Sequence, residues 1–183
     1  MFWIRFRFEW AVVKSICKLL NLWIYYRNHN IALIYKKPTP IKVVKVKYPQ
    51  NKIEEAYFDE PSTLDYNGIY KGKYIEFDAK ETASKTSFPL SNIHAHQMKH
   101  IRNVIYYGGI AFLVVRFSKL SRNFVLMGED LIEFVDNNIR KSIPLDYFES
   151  VGFEVGLKYN PRLDYIGIID NYIKDKDVGD NEN

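Results

Sequence analysis

Cysteine is almost missing from this 183-residue chain. Cys17 stands alone, which excludes an internal disulfide framework and any multi-cysteine metal site. A reducing, cytoplasmic setting is the resulting expectation. Long apolar runs are missing as well: the uncharged stretch Leu19 to Tyr26 spans eight residues, whereas a membrane-spanning helix needs ~20. No small-residue cleavage site follows it, so a secretory signal is not expected either. Acids are scarce over residues 1–52, where Glu9 is the only one. Internal repeats and low-complexity segments are also lacking. With 47% hydrophobic and 16% aromatic residues, the chain is rich enough in apolar surface to exclude general disorder.

The scarcity of early acids exposes a charge asymmetry. Arg5, Arg7, Lys14, Lys18, Arg27, Lys36, Lys37, Lys42, Lys45, Lys47 and Lys52 stand against Glu9, a net +10, which leaves −6 for the rest of a chain totalling +4. A basic half interleaved with Tyr, Phe and Trp points to a polyanion partner, or simply to a solvated basic face. Trp10, Val13, Cys17, Leu20 and Ile24 recur at helical spacing and predict the buried stripe of an amphipathic helix, with Cys17 as inert core. Lying flat at a membrane interface is the alternative for that stripe.

Asn28-His29-Asn30 reads as a turn and Ile31–Tyr35 as a short buried strand, before Pro38 and Pro40 break the chain. Over Ile41–Tyr48, Val44, Val46 and Tyr48 are expected on one face and Lys45 and Lys47 on the other. Such a lysine face suits an arm along a phosphate backbone, and equally a protected edge strand. Asn67-Gly68 and Lys71-Gly72-Lys73 are turn signals bracketing a tight hairpin. Ser91 or Asn92 can cap a helix running to about Tyr107, stopped by Gly108-Gly109. Ile110–Phe117 is a central strand, Glu129–Asn137 a short helix, and Tyr165–Ile169 a last strand or extended segment. This order fits an α/β fold with a mixed central sheet flanked by helices. Residues 174–183 form a polar tail expected to fray.

The chemistry concentrates between Asp65 and Gln97. In a strand over Tyr74–Lys80, Ile75, Phe77 and Ala79 share one face and Glu76, Asp78 and Lys80 the other, next to a hairpin strand carrying Asp65. Two carboxylates on adjacent strands can hold a hard divalent cation, with water and phosphate oxygens filling its shell. A lysine two residues beyond can reach an attacking water or a charged transition state. Together these are the minimum for metal-assisted phosphodiester hydrolysis. The competing reading is an exposed strand face with ordinary charges, and Asp65 as a turn-forming residue. Gln97 falls on the inner face of its helix with Ile93, Ile101, Val104 and Ile105, where an amide needs a partner: another side chain or a metal-bound water. His94, His96 and His100 lack the pattern and the cysteine of a zinc site, and are expected at the surface or against loops.

Several segments together resemble the RecU family of Holliday junction resolvases from low-GC Gram-positive bacteria and their wall-less relatives. They are Lys36-Lys37-Pro38-Thr39-Pro40, Pro61-Ser62-Thr63-Leu64-Asp65-Tyr66-Asn67-Gly68, Ala79-Lys80-Glu81-Thr82, Thr86-Ser87-Phe88-Pro89-Leu90, His96-Gln97 and Pro161-Arg162-Leu163-Asp164-Tyr165. The resemblance spans about residues 30–173. It implies a restriction-endonuclease-like, PD-(D/E)xK fold: one nuclease domain over 1–173 with a projecting stalk at about 38–61. It also implies a homodimer that uses Mg²⁺, with Mn²⁺ as substitute, to nick four-way DNA junctions in pairs during recombination and repair. Recombinase and branch-migration proteins are implied partners.

By position, Thr63, Asp65, Asp78 and Gln97 match the family's metal-site residues and Lys80 its transition-state lysine, so Asp65, Asp78 and Lys80 are the catalytic candidates. Lys36, Lys37, Lys45, Lys47 and Lys85 are the candidates for DNA contact. The family shows Asp-Phe-Glu-Ala-Lys where this chain has Glu76-Phe77-Asp78-Ala79-Lys80, which shortens the ligand by one methylene and leaves Glu76 either a partial substitute or a neighbour. Trp3-Ile4-Arg5 stands in place of the family's Asn-Arg-Gly ahead of Glu9, marking this start as diverged or misplaced and leaving Glu9 open as an auxiliary acid. The competing function is a catalytically inactive dimer that bridges DNA duplexes and recruits recombination proteins.

Overall fold

The structure, a computed structural model, describes residues 22–38, 40–58, 63–159 and 161–180. Glu9 and the stripe residues Trp10, Val13, Cys17 and Leu20 lie outside these. Helix α1 (Leu22–Asn28) leads into β1 (Leu33–Lys36), then β2 (Ile41–Lys47) and β3 (Lys52–Phe58). There follow β4 (Tyr66–Tyr70), β5 (Lys73–Thr82), β6 (Ser87–Pro89), α2 (Ala95–Tyr106) and β7 (Ile110–Phe117). Beyond these lie β8 (Arg122–Met127), α3 (Gly128–Asn137), β9 (Ser142–Pro144), α4 (Leu145–Ser150), β10 (Phe153–Glu154) and α5 (Tyr165–Asp180).

Six strands form a mixed sheet in the order β1-β4-β5-β7-β8-β10, in which β5 and β7 are parallel and every other pairing is antiparallel. The parallel pair needs a crossover, and α2 supplies it. Strand β7 reads Ile-Ala-Phe-Leu-Val-Val-Arg-Phe and is buried everywhere but Arg116, as a central strand covered on both faces requires. On one face Phe77 stacks between Tyr66 and Phe112 at 4.9 and 4.7 Å, and Tyr26 of α1 with Tyr165, Ile166, Ile169 and Ile173 of α5 closes the layer. The other face buries Leu113, Val115 and Leu126 under Ile101 and Val104 of α2, Leu131 and Phe134 of α3 and Phe148 of α4. The expected mixed sheet with flanking helices is therefore the observed architecture.

Several local expectations are corrected. Asn67-Gly68 lies inside β4 rather than in a turn; a Cβ at Gly68 would stand 2.1 Å from the Leu33 carbonyl oxygen, so glycine is required where β1 approaches. The turn itself is Lys71-Gly72, both at positive φ (46° and 75°), the two-residue geometry that matches strand twist. Helix α2 starts at Ala95, not Asn92, because Leu90–Asn92 form a 3₁₀ turn and His94 with Gln97 makes a reciprocal capping box. The segment at Tyr165–Ile169 is helical: the Asp164 carboxylate accepts the Gly167 amide at 3.2 Å as an N-cap, and an apolar run of this length fits either period. That helix continues to Asp180, so the tail expected to fray from 174 is helical over its described part. Ile24 is 39% exposed, whereas Tyr26 of α1 is in the core, its hydroxyl donating to Asp164 at 3.1 Å.

The β2–β3 hairpin is a two-stranded sheet of its own, with Ile41, Val43, Val44, Ile53 and Tyr57 all exposed. The register is irregular between Val43 and Val46, while Lys45 and Lys47 both reach Glu54, as the expected lysine face requires. No helix among the described residues is long and apolar enough to cross a membrane.

Candidate functional site

The site grows out of β5. One face of this strand carries Ile75 and Phe77 into the aromatic layer; the other turns Glu76 and Asp78 toward α2. Both carboxylates are buried, at 0% and 1% exposure, so the reading of an ordinary charged surface face is overturned. Buried carboxylates need partners, and α2 supplies them three residues apart: Gln97 reaches Asp78 and His100 reaches Glu76. Side chains at i and i+3 share a helix face, as residues at i and i+2 share a strand face, so two periodicities meet at one seam.

Around Asp78, Oδ2 accepts Gln97 Nε2 at 2.7 Å and lies 2.9 Å from Lys80 Nζ, while Oδ1 accepts the Ala79 amide at 2.7 Å. Gln97 also donates Nε2 to the Thr63 carbonyl at 3.0 Å and accepts from the His94 amide at 3.1 Å and from Lys80 at 3.3 Å. All four hydrogen-bonding positions of the amide are thus filled by protein. Asp65, at the return from the hairpin, is half-buried and lies beside Asp78. Burial first, and the charge of Asp78 second, push its pKa up, while Lys36 and Lys80 pull the other way.

Glu76 forms a second constellation beside the first. Its Oε1 pairs with Lys37 Nζ and accepts the Thr63 hydroxyl at 3.2 Å, and its Oε2 accepts Tyr74 OH at 2.7 Å and meets His100 Nε2 at 2.8 Å. Burial alone would raise this carboxyl's pKa. The hydrogen bonds from Lys37, Tyr74 and His100 outweigh it and hold the group below the usual carboxylate range. His100, expected at the surface, is therefore part of the site's wall. Its spacing from Gln97 was the available signal.

The donor set suits a hard cation. Asp65 and Asp78 are two acidic oxygen donors held together against their mutual repulsion, and among the described residues no three His, Cys, Asp or Glu side chains form a metal-binding group. One or two carboxylates with water and phosphate oxygens is the usual Mg²⁺ arrangement, whereas a zinc cage needs more nitrogen or sulfur. Thr63 directs its hydroxyl to Glu76, accepts Lys37 Nζ at 2.8 Å, and turns its carbonyl to Gln97.

The DNA-contact candidates separate. Lys37 is engaged inward with Glu76 and Thr63. Lys45 and Lys47 are exposed on the hairpin and share Glu54, at 3.0 and 3.9 Å. Lys36 sits 5.9 Å from the Tyr66 ring centre, and Lys85 is exposed in the loop before β6.

Comparison with known proteins adds to this geometry. A family model described as "Recombination protein U" (RecU) matches residues 15–171. A curated Holliday junction resolvase RecU of Pediococcus pentosaceus is 49% identical over 156 residues, covering 82% of this chain and 78% of its own. The Geobacillus kaustophilus relative of that name is 49% identical, with 80% and 76% covered, and that of Lactiplantibacillus plantarum 48%, with 81% and 75%. Among solved structures, the chain is similar to Archaeoglobus fulgidus Hjc, a Holliday junction resolvase, at a TM-score of 0.44 and 8% identity, covering 77% of this chain and 94% of that one.

Proposed function

The chain belongs to the RecU family, and from that premise we propose that it is a Mg²⁺-dependent crossover junction endodeoxyribonuclease that resolves four-way DNA junctions by paired nicks. The observation that carries the metal-dependent part is half-buried Asp65 placed beside buried Asp78, with Lys80 2.9 Å from the latter. DNA binding alone gains nothing from paired acids facing a phosphate chain, whereas metal-assisted hydrolysis uses them to hold a cation.

Asp65 and Asp78 would hold the ion. When bound, it polarises the scissile phosphate, lowers the pKa of water and neutralises the leaving oxygen. The protein's own residues do the rest. Gln97 fixes the rotamer of Asp78 through its 2.7 Å bond and ties it to the Thr63 carbonyl. Lys80, its side chain 19% exposed at the rim of the site, places its ammonium where a phosphate can exchange for Asp78 and steadies the added charge of the pentacoordinate transition state. Exposed Lys36, Lys45, Lys47 and Lys85 supply phosphate contacts that position DNA without reading its sequence. A homodimer matches the approximate two-fold symmetry of a junction, so that each subunit nicks one of two equivalent strands. Work within the cytoplasm alongside recombinase and branch-migration proteins completes the reading.

The deciding experiment uses synthetic four-way junctions and the Asp65→Asn variant. Junction binding should stay intact or tighten, since a negative charge near phosphate is removed, while Mg²⁺-dependent nicking is lost. Undiminished nicking by the variant takes Asp65 out of the mechanism. Binding without nicking by the unaltered protein would favour the inactive bridging dimer.

A further inference from the structure

The mechanism above makes no use of Glu76, although it is the most completely enclosed acid of the site, with 0% exposure. Its surroundings are specific. Lys37 is the residue at which the chain leaves β1 toward the hairpin, and Thr63 and Asp65 are where it returns. The outgoing and returning legs meet there: the Lys37 amide donates to the Asp65 carbonyl at 2.8 Å, and Lys37 Nζ donates to Thr63 Oγ1 at 2.8 Å. Both legs are then fastened to one point on β5, because Glu76 Oε1 takes Lys37 Nζ and the Thr63 hydroxyl together. The opposite oxygen is locked by Tyr74 and by His100 of α2.

A carboxylate offers about four acceptor positions, and Glu76 has four donors on it, so nothing remains for a cation while these bonds stand. From Glu76 the chain of contacts runs through Thr63 Oγ1 to the Thr63 carbonyl, to Gln97 Nε2 and to Asp78 Oδ2. Glu76 thus sits two residues from one carboxylate of the acidic pair and braces the loop that carries the other.

We infer that Glu76 is a positioning residue for the metal centre, clamping both legs of the β2–β3 hairpin to β5 through Lys37 and Thr63 and so setting where Asp65 stands relative to Asp78. The inference rests on the metal-dependent reading of the site. It assigns Lys37 to the clamp rather than to DNA, and it also assigns the hairpin a stiff root beside the reacting centre.

The test compares the unaltered chain with Glu76→Gln, Lys37→Met and the double variant. Four readouts are taken: Mn²⁺ affinity by calorimetry without DNA, junction Kd in Ca²⁺, the single-turnover nicking rate and the melting temperature. Groups that orient metal ligands typically contribute 10- to 100-fold, so each single variant should lose about 10-fold or more in Mn²⁺ affinity and in rate, with junction Kd within about twofold. The double variant should be no worse than Glu76→Gln alone, because the two residues act through one bond. Stronger Mn²⁺ binding by Lys37→Met overturns the inference, since it means a freed Glu76 is itself a ligand. Unchanged Mn²⁺ affinity and rate with only a lower melting temperature overturns it too, as does a loss confined to junction Kd. If Glu76→Gln does not fold, Lys37→Met decides alone, its side chain being 22% exposed. Failure of the unaltered chain to bind Mn²⁺ would sink the parent reading, a result distinct from any difference among variants.

Discussion

Changing Gln97 to glutamate replaces one amide NH₂ by oxygen and keeps the shape of the side chain. The retained oxygen still accepts from the His94 amide and from Lys80, so the helix cap survives. The new oxygen takes the place of Nε2, 2.7 Å from Asp78 Oδ2 and 3.0 Å from the Thr63 carbonyl. Acceptors that close need a proton between them, so the introduced carboxyl holds one and its folded-state pKa rises. Paired carboxylates shift by about 2–3 units; the nearby Lys80 ammonium favours the lower end. Two units correspond to about 3 kcal/mol. The sign follows from linkage: a group whose folded pKa is raised leaves stability intact at low pH and removes it as pH climbs through the folded value. For a domain of this size ~1 kcal/mol moves the melting temperature by about 2–4 °C. Relative to the unaltered chain, Gln97→Glu should therefore melt about 2–4 °C lower at pH 5 and about 6–12 °C lower at pH 7.5, followed by circular dichroism. A deficit equal at both pH values would refute the reasoning, because it would mean that the loss is one of packing and not of charge.

Three further outcomes are expected. Lys45→Ala with Lys47→Ala should weaken junction binding and flatten its dependence on log salt by roughly one to two, at about 0.9 per lost phosphate contact; an unchanged slope in salt-titrated binding removes the hairpin lysines from the DNA. Because burial and Asp78 raise the pKa of Asp65, its stability contribution falls as pH rises through that value, so the melting-temperature gain from added Mg²⁺ should be larger at pH 8 than at pH 5. A gain equal at both, or larger in acid, argues that Asp65 does not meet the ion. Gly68→Ala should cost several °C in melting temperature or abolish folding, since its methyl would lie 2.1 Å from the Leu33 carbonyl oxygen; a variant as stable as the original would show that β1 can withdraw.

The elements legible from sequence were those with one unambiguous period. The alternation of Ile75, Glu76, Phe77, Asp78 and Ala79 placed β5 and divided its faces, and the continuous apolar run gave β7. Where an apolar stretch fits two periods, as at Tyr165–Ile169, only the Asp164 cap and the packing of Tyr165, Ile166 and Ile169 under the sheet decided for a helix. Strand β8 and helix α4 were not anticipated at all, their short segments carrying no distinct pattern.

By itself, the sequence determined the mixed α/β class, the identity of the acidic residues and lysine on one strand face, and the placement of Gln97 on an inward helix stripe. These follow from local geometry, in which a side chain's direction depends only on its own segment's period. The tertiary structure alone decided that Glu76 is enclosed rather than solvated, that His100 and Tyr74 complete its shell, and that Lys37 turns inward. Each of these pairings joins residues whose segments meet only when the sheet and α2 assemble. Whether a charge is buried or free depends on which partners arrive to replace its water, and that is a property of the folded whole.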